Sequence, residues 1–378
     1  MIPGAAPAAR SGRVAAWCCT ALVLLLPALM ALRAVGEPAA PGELARLERV
    51  VVGRSPDAQV DTSTSQLFHR AAVADASWPG DPAVQQALLV RARRAQVAVV
   101  AGLGALLYLA VMLAYGRLQA LLACCVFALL PPVLDAGYVL RPETIGAFFA
   151  LLSVVLMQVA ASAPPALRGR RPAQASLLVC GLLACAAVAI GVTCEALPSL
   201  GESLLVPGVV LLLTAVETAM RARRMLARRG MIGTPIRAIN RRLIPWTALG
   251  FLSPAVALFV MRRSYTVSVD QLSVTLPQSA LLPGGPLAAT AAVALLALGA
   301  VVMVVRLGAR LGRGGRITAE RVWLCYCAVY LLTSLGGDVA RDPLPLAVPA
   351  AALVGAGAHA LAALALGVLA RRRRAGAT

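Results

Sequence analysis

The stretch Arg93–Met157, RRAQVAVVAGLGALLYLAVMLAYGRLQALLACCVFALLPPVLDAGYVLRPETIGAFFALLSVVLM, decides the fold class of this chain. It contains three apolar runs, each of roughly the 20 residues that a helix needs to cross the hydrocarbon core of a bilayer. Only Gly116–Arg117 and a short segment with Asp135, Arg141 and Glu143 interrupt them. Runs of Leu, Ala and Val of this length do not suit an outer-membrane barrel, whose strands alternate in short segments. The stretch therefore predicts helices that span a membrane.

Similar runs recur along all 378 residues, of which 60% are hydrophobic and 13% charged. The charged fraction is about half that of a soluble domain. The sequence predicts an all-α, polytopic transmembrane bundle. Its ten predicted spans are Trp17–Val35, Gln96–Tyr115, Leu118–Gly137, Glu143–Ala161, Ala175–Val192, Ser203–Met220, Leu243–Met261, Leu287–Val305, Val322–Leu335 and Leu344–Ala370.

The placement of charge predicts the orientation of these spans. With both termini in the cytoplasm, 23 of the 35 arginines lie inside and 14 of the 16 acidic residues outside, as the positive-inside rule requires. The predicted organisation is a tail at 1–16, a transmembrane core at 17–220 with an outer loop at 36–95, a basic loop at 221–242, C-terminal helices at 243–370 and a basic tail at 371–378. Its basic runs then contact anionic lipids, not nucleic acid.

The basic side chains also indicate the kind of organism. The chain has no lysine, so every basic residue is an arginine, and its helices are rich in alanine. This composition is typical of a GC-rich bacterial genome. We therefore expect an integral, multi-pass protein of the bacterial cytoplasmic (inner) membrane.

The predicted outer loop Gly36–Ala95 contains an amphipathic segment, PGELARLERVVVG. Leu44, Leu47, Val50 and Val51 share one face at helical spacing. Such a helix could lie on the membrane surface. We expect the loop to pack as helices against the outer ends of the bundle.

The segment around Glu143 has the features of a helix start. Pro142 suits the first helical position, where its missing N–H costs nothing. Glu143 then lies in the first turn, where free N–H groups and the helix dipole favour a carboxylate. The structural interpretation is a capped helix with Arg141 at the membrane surface; the functional one is a site at the head of the fourth span.

The order of features resembles the polyprenol-phosphate-sugar-dependent glycosyltransferases of the GT-C class, which include the protein O-mannosyltransferases and the lipid A aminoarabinose transferases. The resemblance covers residues 36–220 well. Arg94 opens the second span, Gly116–Arg117 follows it, and Glu143 is an outward acid at the head of the fourth span. Near the C-terminus, ARDPLPLAVPAAALVGAGA resembles the family's Arg, Pro-rich turn and long last span.

The resemblance implies inverting transfer of a sugar from a polyprenyl phosphate to a lipid, glycan or protein acceptor, with no cofactor and with the need for a divalent metal left open. A carboxylate must accept the acceptor's proton, and arginines suit the leaving phosphate. The implied catalytic residues are Glu43 as the base and Glu143 as a second or sugar-binding carboxylate. The implied phosphate ligands are Arg341, Arg141 and Arg94.

Each of these residues also has a structural interpretation. Glu43 could belong to the polar face of the amphipathic helix, Arg94 could anchor a helix end, and Arg341 could pair with Asp342. The alternatives to an enzyme are a non-catalytic protein of GT-C-like fold, because Gly42–Glu43 stands where the family usually has Asp or Asp-Glu, and a transporter. The nine cysteines lie mostly in apolar runs and are expected to be small hydrophobic residues.

Overall fold

The computed structural model describes residues 20–40, 43–52, 73, 78–138, 140, 142–166, 172–196, 202–229, 245–250, 252, 291, 294–302, 305, 318–335 and 343–375. Within this part of the chain all regular secondary structure is helical. The helices are α1 (Thr20–Leu32), α2 (Glu43–Val52), α3 (Pro82–Tyr115), α4 (Arg117–Leu129), α5 (Pro131–Tyr138), α6 (Pro142–Ala166), α7 (Pro172–Ala196), α8 (Glu202–Arg229), α9 (Ala319–Leu335) and α10 (Pro343–Ala375). Residues 245–250 and 294–302 are also helical.

Four of these helices are long and apolar enough to cross a membrane, which confirms an all-helical protein of membrane type. They are α3, the part Thr144–Ser162 of α6, the part Leu177–Cys194 of α7 and the part Ala347–Val368 of α10. Shorter apolar helices are Thr20–Leu32, Arg117–Leu129 and Ser203–Val216. Ten spans stay a prediction, because the predicted span Leu243–Met261 lies largely, and Leu287–Val305 partly, outside the described residues.

Helix α3 begins 14 residues before the second predicted span, so the end of the predicted outer loop is part of the same helix. The side chain of Asp81 caps it by accepting a hydrogen bond from the N–H of Ala83 (2.9 Å), and Pro82 occupies its first turn. At about 1.5 Å per residue, its 34 residues extend about 51 Å. The hydrocarbon core of a bilayer is only about 30 Å thick. One end of α3 therefore projects beyond a membrane.

The third predicted span is two helices instead of one. Helix α4 ends at Leu129 and α5 begins at Pro131, because proline lacks the N–H that would continue the helix and restricts the preceding residue. At its other end α4 follows α3 after a single residue, Gly116. This glycine has a φ of 100°, in the region that L side chains rarely adopt.

The core is built around α3, which packs against α4, α6 and α9. Gly102 and Gly104 let the neighbouring helices approach closely: an added Cβ would lie 2.8 Å from the Phe148 ring of α6 at one position and 3.0 Å from Pro27 of α1 at the other. Gln158 of α6 is buried and donates to the carbonyl oxygens of Ala110 (3.0 Å) and Ala319 (3.1 Å). A single amide thus connects α6 with both α3 and α9.

Candidate functional site

The most polar buried place in the described residues surrounds Arg93 of α3, whose side chain is 0% exposed. Its Nε donates to Glu43 Oε1 (3.1 Å) and its Nη2 donates to Glu43 Oε2 (2.6 Å). The remaining hydrogen bonds go to backbone carbonyl oxygens: Val35 (3.2 Å) and Glu37 (2.6 Å) from Nη1, and Pro38 (3.3 Å) from Nη2. A guanidinium has five N–H donors, so these five bonds use all of them.

Glu43 is equally buried, with 0% of its side chain exposed. Besides Arg93, its Oε2 accepts from the N–H of Ala40 (3.0 Å) and its Oε1 accepts from the N–H of Leu140 (2.9 Å). An ionised carboxylate has about four lone-pair positions, and four hydrogen bonds occupy them. The charge therefore has the pairing and the hydrogen bonds that a buried ion requires. To act as a base from this conformation, Glu43 would first have to give up a hydrogen bond.

The amphipathic helix α2 follows directly from Glu43 and turns its apolar face toward the protein. Leu47 is buried with Leu89, Ala92 and Leu140, and Leu44 and Val51 pack against this cluster. Leu44, Leu47 and Val51, which could have faced lipid, are thus used for packing within the protein. That the whole loop packs as helices stays a prediction, because residues 41–42, 53–72 and 74–77 lie outside the described part.

The hydrogen bond from Leu140 joins this buried pair to the head of the fourth predicted span. Helix α6 begins at Pro142, two residues after Leu140, as the Pro-Glu sequence predicts. Glu143 occupies the first turn of α6, so its backbone lies at the same end of the bundle as Glu43. The side chain of Glu143 lies outside the described part of the structure.

None of the three arginines predicted to bind phosphate belongs to this buried pair. Arg94 follows Arg93 on α3 but is exposed. Arg141 and Arg341 lie outside the described residues. Among the residues that are described, no group of three or more His, Cys, Asp or Glu side chains could hold a metal ion.

Sequence reasoning missed Arg93, although a signal for it existed. The buried face of α3 includes Leu89, Arg93, Gln96, Val100 and Leu103, at the three- and four-residue spacing of a helix. Recognising that the helix begins at Pro82 would have placed Arg93, and not Arg94, on this face. Gln96 was missed for the same reason; its side chain donates to the carbonyl oxygen of Ala136 (2.5 Å) and fastens α5 to α3.

Comparisons with protein-family models, with curated proteins and with solved structures give no match for this chain. The likeness to the GT-C glycosyltransferases therefore rests on the order of residues in the sequence.

Proposed function

We propose that this protein is a ten-span glycosyltransferase of the bacterial cytoplasmic membrane that moves a sugar from a polyprenyl phosphate to an acceptor on the extracytoplasmic face. The observation that carries the proposal is the hydrogen bond between Leu140 N–H and Glu43 Oε1. This contact brings the segment after the first span and the helix start that holds Glu143 to one end of the bundle. Sugar transfer requires these groups to lie close together, because the carboxylate, the phosphate ligands and the lipid-facing helices must act on one substrate.

Because four hydrogen bonds occupy the Glu43 carboxylate, we assign proton transfer to Glu143 and not to Glu43, the base that the sequence predicts. Glu143 lies in the first turn of α6, where free N–H groups and the helix dipole favour the ionised form. In the proposed reaction the acceptor hydroxyl oxygen forms a bond to the anomeric carbon and Glu143 takes its proton. The bond from the anomeric carbon to the phosphate oxygen breaks on the opposite side, so the product has inverted configuration and polyprenyl phosphate leaves.

The leaving phosphate needs cations at the same membrane face. Arg141 precedes Glu143 by two positions, Arg94 is exposed one residue after the buried Arg93, and Arg341 precedes α10. A planar guanidinium can bind two phosphate oxygens at once. We assign the three arginines this role, with the exposed apolar sides of the long helices holding the polyprenyl chain.

The test is the release of polyprenyl phosphate in proteoliposomes that contain the protein, a panel of hexosyl and pentosyl polyprenyl phosphates, and native membrane extract as the source of acceptors. Glu143→Gln should slow release by about a hundred- to ten-thousandfold, the usual cost of removing a general base. The control is Glu48→Gln, which changes an exposed acid of α2 and should have wild-type activity. Equal release by the Glu143→Gln variant, or no release by the wild type with any donor, would refute the proposal.

A further inference from the structure

We infer that Arg93 and Glu43 are positioning residues that fix the head of α6, an inference that rests on the proposed function of that head. Neither residue then touches the substrate. The two acids then have separate tasks: Glu43, paired with Arg93, holds the site together, and Glu143 acts in it.

Arg93 contacts the segment that follows α1. Nη1 and Nη2 of Arg93 donate to the carbonyl oxygens of Val35, Glu37 and Pro38. These carbonyls lie in a non-helical segment and are separated from Arg93 by 55 to 58 residues in the sequence. One guanidinium therefore organises the backbone between α1 and α2 against the side of α3.

Glu43 connects Arg93 with the start of α6. Glu43 accepts from Arg93 on both oxygens and from Leu140 N–H on Oε1. Pro142 begins α6 two residues later, so little chain remains in which a displacement of Leu140 could be absorbed. The position of the first turn of α6, and of Glu143 in it, depends on the Glu43 carboxylate.

Separating the buried Arg93–Glu43 pair would cost free energy. Both side chains are completely buried, and removing one partner of such a pair leaves an uncompensated charge. A Glu43 carboxylate that left Arg93 to take a proton from a substrate would meet this penalty in every turnover. A rigid support has no such cost, because its hydrogen bonds stay in place throughout the reaction.

Amide hydrogen exchange tests the inference without any assay of turnover. The N–H groups of Ala40 and Leu140 both donate to Glu43, so their exchange should be slow in the wild type. Glu43→Ala and Arg93→Met should each raise it by about tenfold or more, because the first removes the carboxylate that accepts from these N–H groups and the second removes the cation that holds that carboxylate in place. Arg91→Met, an exposed arginine on the same helix, should leave it unchanged. Unchanged exchange in both the Glu43→Ala and Arg93→Met variants would overturn the inference.

The pH dependence of donor turnover separates support from catalysis. Glu43→Gln keeps the side-chain shape and one carbonyl acceptor, so its residual turnover should still fall as the pH drops, with the wild-type acid limb. Glu143→Gln should remove that limb, because the titrating base is gone. Loss of the acid limb in the Glu43→Gln variant would make Glu43 the base and refute the positioning role. Absence of donor turnover in the wild type would refute the proposed function and leave the exchange result to decide the inference alone.

Discussion

At the scale of single residues, the contrast between Arg93 and Arg94 shows how one helical step decides the role of a charge. Arg93 lies on the face of α3 that packs against the protein, whereas Arg94 is rotated by about 100° and is exposed. Arg93 has carbonyl and carboxylate acceptors for all its donors. The same side-chain chemistry thus gives a buried support at one position and an exposed cation at the next.

This contrast predicts different effects on stability. Arg93→Met leaves the Glu43 carboxylate buried without its cation and should lower the free energy of unfolding by about 3–5 kcal/mol. Arg91→Met should change it by no more than about 0.5 kcal/mol, because Arg91 is exposed. Adding Glu43→Leu to Arg93→Met should recover part of the loss, since no unpaired charge remains. Thermal unfolding in detergent compares the three variants with the wild type, and a double variant as unstable as Arg93→Met alone would contradict the expectation.

At the scale of helices, α4 and α10 form a close antiparallel pair. The Nε2 of Gln119 lies 3.4 Å from the Nδ1 of His359. One turn further along, Gly355 faces Ala123, where a Cβ at position 355 would lie 2.9 Å from the backbone nitrogen and 3.0 Å from the Cα. A backbone atom cannot move aside as the end of a flexible side chain can. Small residues allow this approach in membrane helices.

Gly355→Ala should therefore force α4 and α10 apart and cost about 1–3 kcal/mol, as overpacking of a tight contact does. Gly367 lies on the same helix, and nothing is within 4 Å of a Cβ built there. Gly367→Ala should be neutral or slightly stabilising, because alanine is the better helix former. Melting temperatures of the two variants in one detergent provide the comparison. A larger loss at position 367 than at 355 would contradict the described contact.

At the scale of the whole molecule, the buried ion pair and the Gly116 turn mark opposite ends of the bundle. From Arg93 to Tyr115, α3 has 22 steps, or about 33 Å. This is close to the hydrocarbon thickness of a bilayer, about 30 Å. We therefore expect the ion pair to lie near one membrane surface and not at the centre, where a charge is most costly. The distribution of arginine and acid predicts that this surface is the outer one.

Labelling of single cysteines tests the orientation in a variant whose nine native cysteines are replaced by alanine. Gly80→Cys introduces a thiol just before α3, at an exposed position with no atom within 4 Å of its Cβ. Met225→Cys introduces one near the arginine-rich C-terminal end of α8. A membrane-impermeant maleimide applied to intact cells should label position 80 and not position 225. Labelling of position 225 from outside would contradict the predicted topology.

The sequence by itself determined the features that depend on neighbouring residues. Long apolar runs predict helices, because a bilayer requires every backbone N–H and C=O to be bonded within its own segment. Pro142 and Glu143 predict the start of α6, and the structure begins that helix at Pro142. The break between α4 and α5 at Pro131 could also have been predicted, since proline cannot continue a helix. The extra 14 residues of α3 were not recognised, because arginines in the RARR segment suggested a helix end.

Only the tertiary structure decided which charges meet. Glu43 bonds Arg93 across 50 residues and Leu140 across 97, and no local pattern specifies partners at such distances. From the sequence, the apolar face of α2 suited a membrane surface as well as a protein surface. In the structure it packs on Leu89 and Ala92 of α3. The catalytic role that the sequence predicts for Glu43 stays a prediction, and the four hydrogen bonds on its carboxylate favour the positioning role inferred for it instead. Its partners are set by the burial of two opposite charges together, a requirement that arises only when the helices pack.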